Sequence, residues 1–201
     1  MIKHKFFFIP YFIFILVGAI VLLLFDKESL HLFFDQHHRP WLDLIAPWVT
    51  FLGDGWFSVI LAVAFLFFSS RKAITLGLAY GSSSIVVQVL KLYVFNLHYR
   101  PVKFFDGMAT LHLIPGVEMN TLYSFPSGHS TSAFALCCCL AYFTQKDWMK
   151  LLLLLSALFI SFSRIYLNQH FFEDVYLGAI IGVGFAFLTN FFMEQYFAQK
   201  A

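Results

Sequence analysis

The sequence predicts an all-α fold, an integral-membrane bundle of about six transmembrane helices, and two observations carry that prediction. Hydrophobic residues make up 60% of the 201 and charged residues only 12%, well outside the balance of a water-soluble globular chain. The apolar residues also fall in long runs, and crossing a hydrocarbon layer of about 30 Å takes roughly 20 of them as a helix. No internal repeat, low-complexity linker or change of composition interrupts the pattern, so residues 1–201 read as a single membrane-embedded domain.

The first span runs from Phe6 to Phe25. Lys3 and Lys5 precede it as they would a secretory signal, but the run is too long for one and no small-residue cleavage site follows, which makes it an anchor. Trp56 to Ser70 is a second span, short for its task, and Ala73 to Phe95 a third. The fourth extends from Ser127 to about Phe143, the fifth from Trp148 to about Ile165, and the sixth from Val175 to about Phe192. Between the first two, Leu42, Ile45, Val49 and Leu52 recur at helical spacing beside two tryptophans. That stretch reads either as a helix lying near the interface or as the start of the second span. Connections are short except for residues 96–126, and a loop of that length usually has a function.

Lys3 and Lys5, Arg71 and Lys72, Lys146 and Lys150, and Lys200 fall at the N-terminus, the second-to-third and fourth-to-fifth connections, and the C-terminus. In a six-span chain these segments share one side, and the positive-inside rule makes that side cytoplasmic. The other connections, with most of the acids, Arg100 and Lys103, then face outward. The expected setting is a bacterial cytoplasmic membrane.

Candidate chemistry gathers on that outward face. Arg164 and Asp174 adjoin spans, where an ionisable group is expensive unless it is paired or lines a wet cavity. Alone they could be a structural salt bridge. Ser124 to Thr131, "SFPSGHST", puts Ser127, Gly128 and His129 at the start of the fourth span, and unpaired N–H groups at a helix start suit an anion. Alone this is also an ordinary helix cap. Lys91 and Arg100 flank the outer end of the third span, and a snorkelling lysine is unremarkable by itself. Together the stretches supply cations, backbone donors and two histidines, which match a tetrahedral oxyanion such as phosphate. His170 precedes Asp174 by four residues, a spacing that can share one helix face and leave one ring nitrogen free as a nucleophile.

The set "K…RP", "PSGH" and "SRIYLNQHFFED" resembles the type 2 phosphatidic acid phosphatase (PAP2) family of membrane lipid phosphatases. The resemblance implies a PAP2/haloperoxidase-like core. It also implies that His170 attacks phosphorus and forms a phosphohistidine, that Asp174 orients its ring, and that His129 handles the proton in both half-reactions. Lys91, Arg100, Arg164, Ser127 and the Gly128 backbone would hold the phosphate. One departure concerns the first stretch: the family usually has six residues between its lysine and Arg-Pro, whereas eight separate Lys91 from Arg100. Tyr93 stands at the six-residue spacing, and Lys103 is the substitute lysine.

No cofactor and no catalytic metal are expected, because the side chains supply enough positive charge and no carboxylate or Cys/His set has the spacing of a metal site. The partners expected are a membrane lipid phosphate and the phospholipid bilayer, with no nucleic acid. Oligomeric state stays open, since Gly178, Gly182 and Gly184 could pack helices within one chain or between two. Cys137, Cys138 and Cys139 read as small buried residues at a helix contact, and His37 and His38 as part of a solvated loop. Undecaprenyl phosphate or pyrophosphate is the favoured substrate for an outward site. Phosphatidylglycerophosphate, phosphatidic acid and a lipid A phosphate are the alternatives, with Phe104, Phe105, His112 and Glu118 of the long loop placed to choose the headgroup. A vanadate-dependent haloperoxidase or a non-catalytic lipid-binding protein would share parts of this pattern. Six spans argue against the first, and the intact His129, His170 and Asp174 against the second.

Overall fold

Lys5–Leu24 forms α1, and the side of it turned away from the bundle exposes Phe12, Ile13, Leu16, Val17, Ile20 and Leu23. A helix that shows so much hydrocarbon is stable only in lipid. The computed structural model describes residues 2–199, and among these every regular element is helical. Lys200, counted with the cytoplasmic basic residues, lies outside the described residues. After α1 come α2 (Lys27–Asp35), α3 (Pro40–Val49), α4 (Gly55–Leu66), α5 (Ser70–Val89), the short α6 (Pro101–Phe104), α7 (Gly128–Phe143), α8 (Asp147–Tyr166) and α9 (Phe172–Ala198).

Among the described residues four helices are long and apolar enough to cross a membrane: α1, α5 with its extension to Val94, α8 and α9. The expected second span is shorter and bent. At 12 residues α4 covers about 18 Å, and it joins α3 and a 3-10 turn at an angle of 54°, so the two make a crossing only as a pair. The expected fourth span, α7, has 16 residues, about 24 Å. It packs chiefly against α9, then against α8 and α5. A helix sheathed by protein need not match the lipid thickness, which accounts for the difference from six full-length spans.

Two elements were not anticipated. The stretch after α1, a connection by its sequence, folds as α2, started by Asp26, whose carboxylate accepts a hydrogen bond from the Ser29 amide at 2.8 Å. The long loop also contains α6 and is closed at its neck, where Arg100 N donates to Thr121 O at 2.9 Å and Ser124 N to His98 O at 3.0 Å.

The core centres on α7. Phe134, Cys138 and Cys139 are fully buried, with Phe7, Tyr11, Leu76, Leu154, Ala179 and Ala186 around them. Lipid tails are as apolar as these side chains, so close packing rather than escape from water holds the helices together. Glycine makes that packing possible on α9. A Cβ at Gly178 would lie 2.7 Å from Ser127 O, and one at Gly182 would strike Thr131 O. Both glycines therefore serve a contact within the chain, whereas Gly184 faces open space.

Lys3, Arg71, Lys72 and Lys150 gather at one end. Lys150 Nζ donates to Lys3 O at 2.6 Å, Arg71 lies over the Phe197 ring and Lys72 over Phe143. Arg164 sits near the other end of α8, about 20 Å along its axis from Lys150. The charges of the "SRIYLNQHFFED" stretch thus occupy the end opposite the basic cluster.

Candidate active site

The turn between α8 and α9 places the nucleophile candidate. Asn168 takes a left-handed conformation, φ 55°, which asparagine tolerates better than most residues. It ends α8 so that the amides of Gln169 and His170 both donate to Arg164 O, at 3.0 and 3.1 Å. His170 consequently precedes α9, and the reading of His170 and Asp174 on one helix face gives way to a different geometry. Asp174 lies in the first turn of α9, and its Oδ2 accepts from the Phe171 amide at 2.9 Å, closing the exposed N–H groups of the helix start. The same oxygen meets His170 Nδ1 at 3.1 Å and the Ser124 hydroxyl. Because the carboxylate accepts, Nδ1 carries the proton and Nε2 keeps the free lone pair.

His170 and Asp174 are both buried, at 1% and 0% exposure. Burial first, then the positive charges of Arg100, Lys91 and Arg164 and the neighbouring His129, hold the His170 imidazole well below its usual pKa. A shift in that direction favours the neutral imidazole, which keeps a lone pair on Nε2.

Cations converge around this pair. Lys91 is buried and donates to Tyr123 O at 2.8 Å. Arg164 donates to Thr50 Oγ1 at 2.6 Å, and its buried Nε has no hydrogen-bond partner among the described residues. Arg100 Nε donates to Leu122 O at 3.0 Å. The amide oxygen of Gln169 accepts from Arg100 at 3.1 Å and faces Arg164 at 3.5 Å. Gln169 is itself fixed by donating to Glu118 O at 3.0 Å. Positive groups placed this close repel one another, and an orphaned buried donor is costly. Both penalties fall away when an anion is bound.

The spacing question at the first stretch has a structural answer. A π-helical turn over Leu90–Val94 and a further turn from Phe95 to His98 take up the additional residues, a device that leaves Lys91 pointing inward. Tyr93, at the six-residue spacing, is 79% exposed on the outside of the bundle. Lys103 is also outside the cluster, paired with Asp106 at 2.9 Å.

Ser127 caps α7, its hydroxyl oxygen accepting from the Ser130 amide at 3.3 Å, and its own amide donates to Asp174 O at 2.9 Å. That last bond ties the "PSGH" turn directly to α9. His129, in the first turn of α7, stands where two cavities meet. One, of 610 Å³, is lined by Trp48, Thr50, Asp54, Glu118, Arg164 and Gln169. The other, of 210 Å³, lies between α5 and α7. Asp54, brought in by the bend before α4, faces His129 Nε2 at 3.8 Å.

Gln169, Ser124, Thr50 and Asp54 were not singled out from the sequence. Asp54 alone left a trace, as the acid between two glycines that starts α4 by accepting from the Trp56 amide at 2.8 Å. Among the described residues, the His, Cys, Asp and Glu side chains placed to share a metal ion are His38, Asp43 and His112, and not those at His170.

A family profile described as the PAP2 superfamily matches residues 72–197. The chain is 29% identical over 171 residues to phosphatidylglycerophosphatase B of Bacillus subtilis, covering 78% of each protein. It is 31% identical over 135 residues to an undecaprenyl-diphosphatase of Sulfolobus acidocaldarius, covering 65% of this chain and 60% of that one. Among solved structures it resembles Aquifex aeolicus LpxE with a TM-score of 0.73 at 28% identity, over 84% of this chain and 97% of the other. The transmembrane PAP2-type phosphatidylglycerolphosphate phosphatase of Bacillus subtilis aligns with a TM-score of 0.71 at 25% identity, over 97% and 98%.

Proposed function

The chain belongs to the PAP2 superfamily and is a membrane lipid phosphatase, and from that premise we propose that it works through a phosphohistidine on His170, with undecaprenyl phosphate or pyrophosphate as its substrate. The observation that carries the mechanism is a buried His170–Asp174 pair set among Lys91, Arg100 and Arg164, with a donor left open on Arg164.

In the first step His170 Nε2 forms a bond to phosphorus as the bond to the leaving oxygen breaks, while Nδ1–H stays with Asp174. His129 gives the leaving oxygen its proton. In the second step His129 takes a proton from water, the oxygen attacks phosphorus, and the P–N bond breaks to release phosphate and neutral His170. Lys91, Arg100 and Arg164 offset the charge on the non-bridging oxygens, aided by donors at the start of α7. Asp54 steadies His129 when it is protonated. The side chains meet the charge requirement, so the chemistry runs without a metal.

The headgroup enters the 610 Å³ cavity, whose rim exposes Leu44, Trp48 and Phe51 to lipid. We place this mouth on the outer face and both termini in the cytoplasm, because the basic residues of the short connections and the N-terminus, Lys3, Arg71, Lys72 and Lys150, cluster at the opposite end. That face is where a spent polyprenyl carrier is exposed, which supports the undecaprenyl reading, as does the similarity to an undecaprenyl-diphosphatase. Phosphatidylglycerophosphate is the second reading, favoured by the longer match to phosphatidylglycerophosphatase B.

Phosphate release from purified protein across undecaprenyl pyrophosphate, undecaprenyl phosphate, phosphatidylglycerophosphate, phosphatidic acid and lipid A decides between them. The highest kcat/KM on an undecaprenyl substrate is expected. Preference for phosphatidylglycerophosphate would move the second reading to the front, and no release from any of them would overturn the proposal.

A further inference from the structure

Three side chains that take no part in the bond-making and bond-breaking steps meet beside the 610 Å³ cavity, which Asp43 helps to line. His38 follows α2, Asp43 belongs to α3, and His112 lies in the long loop. His38 Nδ1 is 3.1 Å from Asp43 Oδ1, and His112 Nε2 is 3.2 Å from Asp43 Oδ2. One ligand atom from each lies within 4.8 Å of the others. Ligands held about 2.0–2.2 Å from a tetrahedral ion are themselves separated by about 3.3–3.6 Å, so the three side chains stand near enough to close on one ion.

We propose that His38, Asp43 and His112 bind one Zn²⁺, which braces the long loop against α3 beside the active cavity. The donors, two imidazoles and a carboxylate, are the set that Zn²⁺ favours, with a fourth position left to water.

The surroundings fit a cation as well as the donors do. His38 Nε2 is buried with no hydrogen-bond partner, and it faces Asp35 Oδ1 at 3.8 Å. A carboxylate behind the second nitrogen is the usual support of a metal-binding histidine, and it closes up when the metal draws charge from the ring. Tyr166 OH donates to Asp43 Oδ1 and fixes that carboxylate. Among the described residues no Lys or Arg pairs with Asp35 or Asp43. Arg39, next in the chain to His38, is exposed and engages Tyr166 through its backbone.

The site has a route to the catalytic turn. Asp35 accepts from Asn168 Nδ2 at 2.8 Å and from the His112 amide at 3.1 Å, and Asn168 also donates to His112 O at 3.0 Å. Gln169 follows directly, with both guanidiniums on its side chain. A bound ion would therefore restrain the loop and the turn that carries His170 together.

The test uses untagged, detergent-purified protein stripped with chelator, exposed to ZnCl₂, desalted and assayed for metal per chain. A parallel sample receives Co²⁺, whose visible absorption reports tetrahedral coordination. Wild type is expected to keep about one zinc per chain, to show the tetrahedral Co²⁺ bands, and to unfold at a higher temperature with zinc than without. His112→Ala keeps the backbone bonds of residue 112 and so preserves the fold, yet it should lose the zinc, the bands and the thermal shift. His170→Ala should keep all three, which separates this site from the phosphate chemistry. Wild type without retained zinc, or His112→Ala and Asp43→Asn that bind it as wild type does, would overturn the proposal.

Discussion

The end of the protein opposite Lys3 and Lys150 holds two histidine–aspartate pairs with the same separation, and their neighbours give them opposite electrostatic settings. His170 Nδ1 lies 3.1 Å from Asp174, and His38 Nδ1 lies 3.1 Å from Asp43. Each carboxylate also accepts from a hydroxyl, that of Ser124 in one case and Tyr166 in the other. The first pair is sealed and surrounded by Lys91, Arg100 and Arg164, which draw in an anion. The second is more open, with another histidine and a second carboxylate beside it, a setting that draws in a cation. A histidine–aspartate contact therefore says little about function until the net charge around it is counted.

Substitutions that act on one pair and spare the other sharpen this contrast, and the largest effect belongs to the orienting carboxylate. Asp174→Asn keeps the shape but removes the charge that holds Nδ1–H, so phosphatase kcat should fall by about 10³-fold or more, with zinc retention unchanged. A loss below about tenfold would show that the two pairs are not specialised as argued.

Arg164→Ala comes next. It removes a buried guanidinium from the anion cluster, with an expected cost of about 10²–10³ in kcat/KM for every phosphate substrate, as is usual for a lost transition-state donor. Uniform loss across substrates marks a phosphate contact. Loss confined to one lipid would instead mark a headgroup contact.

The smallest effect concerns the link between the pairs. His31, buried in α2, donates from Nε2 to Asn168 Oδ1 at 2.7 Å, stacks on Phe105 and meets the tilted ring of Phe171. Burial pushes its pKa down to about 4. A histidine with a folded pKa below its unfolded value of about 6.5 stabilises fully above pH 6.5, and that contribution drains away as pH falls toward 4. The melting temperature should therefore drop over this range, and His31→Gln should flatten the drop. An unchanged slope would show that His31 does not titrate as its burial implies.

How much of this was legible varied with distance along the chain. His129, Ser127 and Gly128 lie within one short stretch, as do Arg164, His170 and Asp174, so local sequence presents them together. The four long helices were equally visible as apolar runs. The π-helical turn that aims Lys91 inward was not, because an added residue in a helix leaves no compositional mark. Neither was α2, whose cap at Asp26 and Ser29 was present but unread, nor the bend that gives Asp54 to His129. The His38, Asp43 and His112 cluster was the least legible. His112 is separated from the other two by three α-helices, α4 to α6, and only the path of the long loop brings it back.

The central claim is that phosphorus passes through His170. Rapid acid-free quenching of enzyme mixed with ³²P-labelled lipid phosphate, followed by peptide mapping, tests it directly, with chelator present throughout. The account predicts an alkali-stable, acid-labile label on the peptide containing His170, formed in wild type and absent in His170→Ala, with turnover that survives the chelator. Full turnover by His170→Ala, or a label carried on another residue, would contradict it.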